Sequence, residues 1–163
     1  MYIQSFVDVL DEKIISSFET YLHNNTGLVR KNRKFLSTHY DVLDNSLTSQ
    51  LHTIVKKLYK NSLIQAENSN INYLSIINLA KYQYINSWNF LDQINSRPST
   101  LTLIGKLSRS SNAVSVEFIE DGKIHITDNM FLIFPSSFTH AFRINPIQSN
   151  EEKLLIGSIL CKK

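Results

Sequence analysis

The sequence predicts a single α+β domain, with helices first and a sandwich- or jelly-roll-like β unit after them. Two observations carry this reading. Over roughly the first 65 residues the clearest apolar pattern has helical spacing, whereas from Asn70 onward apolar residues fall in short β-rich runs parted by tight turns. No helical run separates those later strands, so antiparallel pairing in a sandwich or barrel is expected. A length of 163 residues suits one domain. Residues 1–163 are therefore read as one unit, with a helical part over about 1–65 and a β part over about 70–161. Hydrophobic residues make up 42% and charged residues 19%, enough to build a core without staples.

Asp11 is the expected N-cap of the first helix, because its carboxylate can accept the free amides ahead of Ile14, Ile15, Phe18 and Leu22. His23-Asn24-Asn25-Thr26-Gly27 stops that helix, with Gly27 able to take the left-handed conformation. Residues 28–40 read as one extended segment whose start, Arg30-Lys31-Asn32-Arg33-Lys34, is very basic. A second helix follows, capped by Asn45 or Ser46. Leu47, Leu51, Ile54, Val55 and Leu58 form its apolar face, and Lys56, Lys57 and Lys60 suit the negative end of its dipole. Strands are expected at 72–79, 101–107, 113–119, 123–127, 130–134, 138–144 and 153–160. Glu120-Asp121-Gly122-Lys123 makes a hairpin turn, since Asp-Gly readily adopts positive φ angles. Thr127-Asp128-Asn129 and Pro135-Ser136-Ser137 make two more turns.

Composition removes several function classes. The single cysteine, Cys161, excludes an intramolecular disulfide framework and a multi-cysteine zinc site. Seventeen Lys+Arg against fourteen Asp+Glu leave a net charge of +3, too small to argue for nucleic acid. No apolar run reaches the roughly 20 residues of a membrane span, and the N-terminus lacks the order of a signal peptide. A cytoplasmic protein that stays off membranes is the expectation. No Gly-rich phosphate loop, serine nucleophile elbow or Cys/His pair around Cys161 stands in the sequence.

The histidines are the side chains that titrate near neutral pH. His23 reads as a solvated residue at a helix end, His52 as a polar-boundary residue, and His125 as pointing away from Ile124 and Ile126 on its strand. Thr38-His39-Tyr40-Asp41 holds a His-x-Asp pair that an extended strand would put on one face, where imidazole and carboxylate can share a metal. That match is short, and it lies outside the β unit. Tyr82, Tyr84, Trp88 and Phe90 read as core and sheet-edge packing rather than a stacking platform. The cluster Arg30, Lys31, Arg33 and Lys34 reads as a solvated charge run, with an acidic partner or nucleic acid as its functional alternative.

His140 has the most informative surroundings. From Met130 the sequence runs Phe131-Leu132-Ile133-Phe134-Pro135-Ser136-Ser137-Phe138-Thr139-His140: an apolar strand, a proline turn and a strand opening with a histidine. This resembles the distal metal-ligand strand of the 2-oxoglutarate- and Fe(II)-dependent dioxygenases, particularly the small prolyl-4-hydroxylase-like members. Other parts agree in order. Phe6-Val7-Asp8-Val9-Leu10-Asp11-Glu12 resembles the family's N-terminal strand and first helix. Arg97-Pro98-Ser99-Thr100-Leu101 resembles the strand after the first metal motif, and Glu152-Lys153-Leu154-Leu155-Ile156 the strand whose basic residue holds the far carboxylate of 2-oxoglutarate. The resemblance implies N-terminal helices packed on a double-stranded β-helix, the jelly roll of that family.

It also implies a facial triad of two histidines and one carboxylate, which leaves iron positions for 2-oxoglutarate and oxygen. His140 matches the distal histidine, but the first two ligand positions fall on Gln93 and Asn95. No histidine lies between His52 and His125, so no local realignment restores one. Carboxamides are neutral, weaker donors, and this set brings no charge to offset the desolvation of a dication. Lys153, Arg143 and Tyr84 are the candidate cofactor-binding residues. The Gly-Gly expected on the adjacent strand is replaced near Ala113-Val114-Ser115-Val116. Apart from the resemblance, His140 reads as a pocket or core histidine satisfied by a hydroxyl such as Thr139 or Tyr84.

The expectation is thus a catalytically degenerate relative acting as a binding or assembly module. It would have no catalytic residues and no cofactor, though a small dicarboxylate could still occupy its pocket. A protein partner or a second copy is expected at a sheet edge or an apolar strand face. One alternative is an active Fe(II)/2-oxoglutarate hydroxylase with an unusual ligand set, such as His39 and Asp41 beside His140. Another is a binder of nucleic acid or of an acidic partner through the basic cluster.

Overall fold

In the computed structural model the first helix, α1 (Glu12–Asn24), starts as its sequence dictates: the Ile14 amide donates to Asp11 Oδ1 at 2.9 Å. Ile15 is buried on its inner side. The structure describes residues 3–24, 29–31, 38–41, 49, 53, 68–82, 84–89, 93–94, 97–98, 101–107, 110 and 112–162. Of the expected second helix, Ser49 and Thr53 are helical, with the Thr53 hydroxyl donating to the Ser49 carbonyl at 3.1 Å; its remainder lies outside the described residues.

The strands are β1 (Gln4–Phe6), β2 (Val29–Lys31), β3 (Thr38–Asp41), β4 (Asn68–Ala80), β5 (Ile85–Asn89), β6 (Gln93–Ile94), β7 (Arg97–Pro98), β8 (Leu101–Lys106), β9 (Val114–Phe118), β10 (Gly122–Ile126), β11 (Phe131–Pro135), β12 (Phe142–Ile144) and β13 (Glu151–Lys162). They form a large sheet in the order β1-β11-β8-β13-β4-β3-β2, a small sheet β10-β9-β12-β5, and the pair β6-β7. The pairings are antiparallel, as expected.

The two sheets enclose one core. From the large sheet come Ile77, Leu79, Ile104, Leu132, Phe134, Leu154 and Ile156; from the small sheet come Val114, Val116, Phe118, Ile126, Phe142 and Ile144. Burying each such side chain contributes about 1.5–3 kcal/mol. The strand β9 alternates buried and half-buried residues, so only one of its faces meets the core. By contrast β8 is buried at every residue, and Leu103, Ile133 and Leu155, on its other face and its neighbours', are buried too. On that outer face the Phe131 ring lies over Gly105, directly across the ladder, where a Cβ would come within 2.6 Å of it.

Several elements differ from expectation. Residues 28–40 are not one extended piece but contribute two paired strands, β2 and β3, and β3 joins β4. Three strands of the large sheet thus come from the first 65 residues, in the N-terminal and extended segments rather than in the helices expected there. The strand expected at 138–144 begins only at Phe142, after a 3-10 turn, Phe138–His140, closed by the His140 amide on the Ser137 carbonyl at 3.0 Å. Tyr82 and Tyr84, expected to pack, are 65% and 46% exposed on the β4–β5 turn. Gly122 has the positive φ its turn requires, +79°.

Candidate functional site

Cross-strand rows fix where each candidate residue lies along the barrel. One row runs His39–Ile77–Leu154–Lys106, and another runs Ile71–Ile159–Leu101–Pro135. Leu101 and Lys106 are the two ends of β8, about 17 Å apart at roughly 3.4 Å per residue. The 3-10 turn that carries His140 follows Pro135 and leads into Phe142, which stands opposite Phe118 and Asn89. His140 therefore sits at the Leu101 end of the barrel, called here the mouth.

At the mouth His140 is half-buried. Its Nδ1 lies 2.9 Å from Ser137 Oγ and 3.1 Å from Thr139 Oγ1. The expectation that a hydroxyl such as Thr139 satisfies this histidine agrees with that geometry, and Ser137 adds a second. Tyr84 does not contribute. It precedes Ile85, which pairs with Ile144, whereas His140 precedes Phe142, which pairs with Asn89. The two residues are at opposite ends of the β5–β12 pair. Thr102, fully buried, shares a 2.7 Å hydrogen bond with Ser136.

Just inside the mouth three phenyl rings of the core, Phe118, Phe134 and Phe142, are each at most 2% exposed. Phe134 packs edge-on against the other two, with centroids 4.9 Å from Phe118 and 5.6 Å from Phe142. The expected anchors are not beside them. Lys153 alternates with Leu154 and Ile156, so it belongs to the opposite face of β13, and its ammonium is 2.6 Å from Glu151. Arg143 alternates likewise with Phe142 and Ile144, and it pairs with Glu117 directly across β9, where Lys123 approaches to 3.7 Å.

Gln93 is in β6, its backbone opposite Pro98, while Asn95 lies outside the described residues. His39 stands in the Lys106 row, away from the mouth. Among the described residues no group of three His, Cys, Asp or Glu side chains could hold a metal ion. Measured against an iron dication, the donor chemistry of His140, Gln93 and Asn95 is one imidazole and two neutral amides, which does not fit.

A second polar cluster was not expected. At the far end of the barrel Lys106 is fully buried, paired with Asp128 and 3.4 Å from Glu152, which is 1% exposed. Glu152 Oε1 also accepts from the Ser110 and Ser149 hydroxyls. The sequence carried one signal of it: Lys106 shares strand parity with Thr102 and Ile104, so it has to enter the interior and needs a carboxylate there.

Comparison with solved structures bears out the fold. A viral collagen prolyl hydroxylase from Paramecium bursaria Chlorella virus-1, in complex with 2OG, superposes with a TM-score of 0.76 at 12% identity, covering 100% of this chain and 97% of that one. A Pseudomonas putida prolyl-4-hydroxylase gives 0.71 at 8% identity over 99% and 94%. A Trichoplax adhaerens prolyl hydroxylase, in complex with a hypoxia-inducible-factor degradation-domain peptide, gives 0.72 at 10% identity over 98% and 84%. No family model and no curated protein matches the sequence. The chain therefore has the double-stranded β-helix fold of the prolyl hydroxylases and related 2-oxoglutarate–Fe(II) oxygenases.

Proposed function

We propose that this chain uses the oxygenase fold without oxygenase chemistry, as a binding or assembly module whose iron centre has been lost. The observation that carries the reading is the edge-on packing of Phe118, Phe134 and Phe142 inside the mouth. A dicarboxylate reaching inward from His140 needs room and a cation. It meets three close-packed rings instead, and burying a carboxylate among them without a partner is costly. Among the described residues the fully buried cation, Lys106, lies at the far end and already holds two carboxylates. Gln93 and Asn95 at the ligand positions agree with this reading, since neither supplies the charge an iron site needs. An active enzyme with His39 and Asp41 as substitute ligands is disfavoured by the strand register, which separates His39 from the mouth.

Anaerobic titration of the metal-stripped protein with Fe(II), with and without 2-oxoglutarate, tests the proposal. A ligand at 100 times its Kd stabilises the folded state by about 2.7 kcal/mol, so binding shows in the melting temperature as well as in heat release. The expected result is no heat and no shift with either ligand. Micromolar iron binding strengthened by 2-oxoglutarate would restore the enzyme reading.

A further inference from the structure

We infer that Lys106 and Asp128 condense into a covalent amide, a side-chain isopeptide bond that the folded chain makes by itself. This goes beyond the proposed function and does not depend on it. An amine, a carboxyl carbon to receive it and a buried carboxylate to move a proton meet at the far end of the barrel. Lys106 is fully buried and enters the interior beside Leu154, its neighbour across the ladder. Its Nζ touches Asp128 Oδ1, one bond away from the Cγ it attacks. Glu152 Oε2 lies 3.4 Å from the same Nζ.

Burial and contact favour the exchange. Charges held away from water carry a desolvation penalty that a neutral group in their place avoids. Amines and carboxylates free in dilute solution do not condense on their own, but well-oriented groups in contact behave as if at about 10⁵–10⁸ M. Both carboxylates are also held in place. The Ser110 amide donates to Asp128 Oδ1 at 3.3 Å, which marks that oxygen as the one that stays. The Ser110 and Ser149 hydroxyls donate to Glu152 Oε1 and leave Oε2 turned to the lysine. Asp128 is 45% exposed, so its second oxygen has a way out to solvent.

The step balances within these residues. Glu152 takes one proton from the ammonium, and the freed lone pair of Nζ attacks Asp128 Cγ. The Nζ–Cγ bond forms and the Cγ–Oδ2 bond breaks. That oxygen leaves as water with the two protons the nitrogen gives up, one of them by way of Glu152. No atom is oxidised or reduced, and Glu152 ends ionised as it began. The ion pair is the state in which the chain folds; the amide follows it. It closes the 22-residue span from the end of β8 to the β10–β11 turn.

The test is the intact mass of the full chain, measured on purification and again after the folded protein has stood. The mass should be lower than that of the sequence by one water. Trypsin should no longer cut after Lys106, and fragmentation should show the peptides that carry Lys106 and Asp128 joined. Asp128→Ala, a change at an exposed residue, should keep the native circular dichroism and lose no water. Lys106→Arg, which leaves a cation for Glu152 but no amine to react, should lose none either. Glu152→Gln, which keeps the shape and removes the proton carrier, should slow the reaction about a hundredfold. A mass that stays at the full value would overturn the inference, as would equal water loss in Asp128→Ala or Lys106→Arg. So would a loss mapped elsewhere, such as a succinimide at Asp121-Gly122, or an unchanged rate in Glu152→Gln.

Discussion

At Asn129 a single side chain joins two distant parts of the chain. Its Oδ1 accepts the Leu10 amide at 2.8 Å and its Nδ2 donates to the Leu10 carbonyl at 2.7 Å, while its own backbone sits at φ 58°. Asparagine tolerates that left-handed conformation better than most residues. Asn129→Ala removes both bonds and keeps the strained backbone, so urea denaturation should show a loss of about 2–4 kcal/mol. Asn129→Asp, which keeps the acceptor and loses the donor, should fall between. Gly122 and Gly105 separate steric from backbone effects. At Gly122 nothing lies within 4 Å of a built Cβ, so Gly122→Ala should cost only the left-handed penalty, about 1–2 kcal/mol. At Gly105 the Phe131 ring is in the way, and Gly105→Ala should cost about 1–3 kcal/mol by overpacking. Trimming the ring in Gly105→Ala/Phe131→Leu should make the alanine less costly than it is against the native ring.

The strands differ in how visible they are from sequence, and the reasons are physical. β8, β9 and β11 announce themselves because burial demands apolar residues at matching positions, and Gly122 marks the β9–β10 turn. β5, β6 and β7 carry Asn, Ser, Gln, Arg and Pro; β5 owes its strand state to β12, far along the chain, while β6 and β7 pair only with each other. The turn at 138–140 was hidden because its hydroxyl-to-imidazole contacts have no periodicity to read. The Lys106 cluster links β8 to the start of β13 and to the β10–β11 turn. Lys106→Met should destabilise by about 3–5 kcal/mol, because it takes the cation from the buried Glu152 carboxylate, and Glu152→Leu should cost less, because Lys106 keeps Asp128. Asp128, at 45% exposed, retains solvent contact and matters less. The double variant Lys106→Met/Glu152→Leu should recover much of the loss, and a double-mutant cycle by chemical denaturation measures the coupling.

For the molecule as a whole, the fold was legible because the proline turn and His140 stand in the right order along nearly the full chain. The interior was less so: that three phenylalanines from three strands pack edge-on together depends on register, which no local pattern reveals. If Gln93 and Asn95 occupy the ligand positions, Gln93→His/Asn95→Asp should gain measurable Fe(II) or Ni(II) binding by calorimetry, while 2-oxoglutarate still adds nothing beside the three rings. The Asn129 clamp also imposes an order in time. Leu10 waits for a partner 119 residues further on, and β1 waits for β11. At 5–20 residues per second of synthesis, that is about 6–24 s in which the first strand has been made and has nothing to pair with. β1 is thus made well before the strand that fastens it, so a nascent chain stalled before residue 129 would expose it to whatever else the ribosome's surroundings offer.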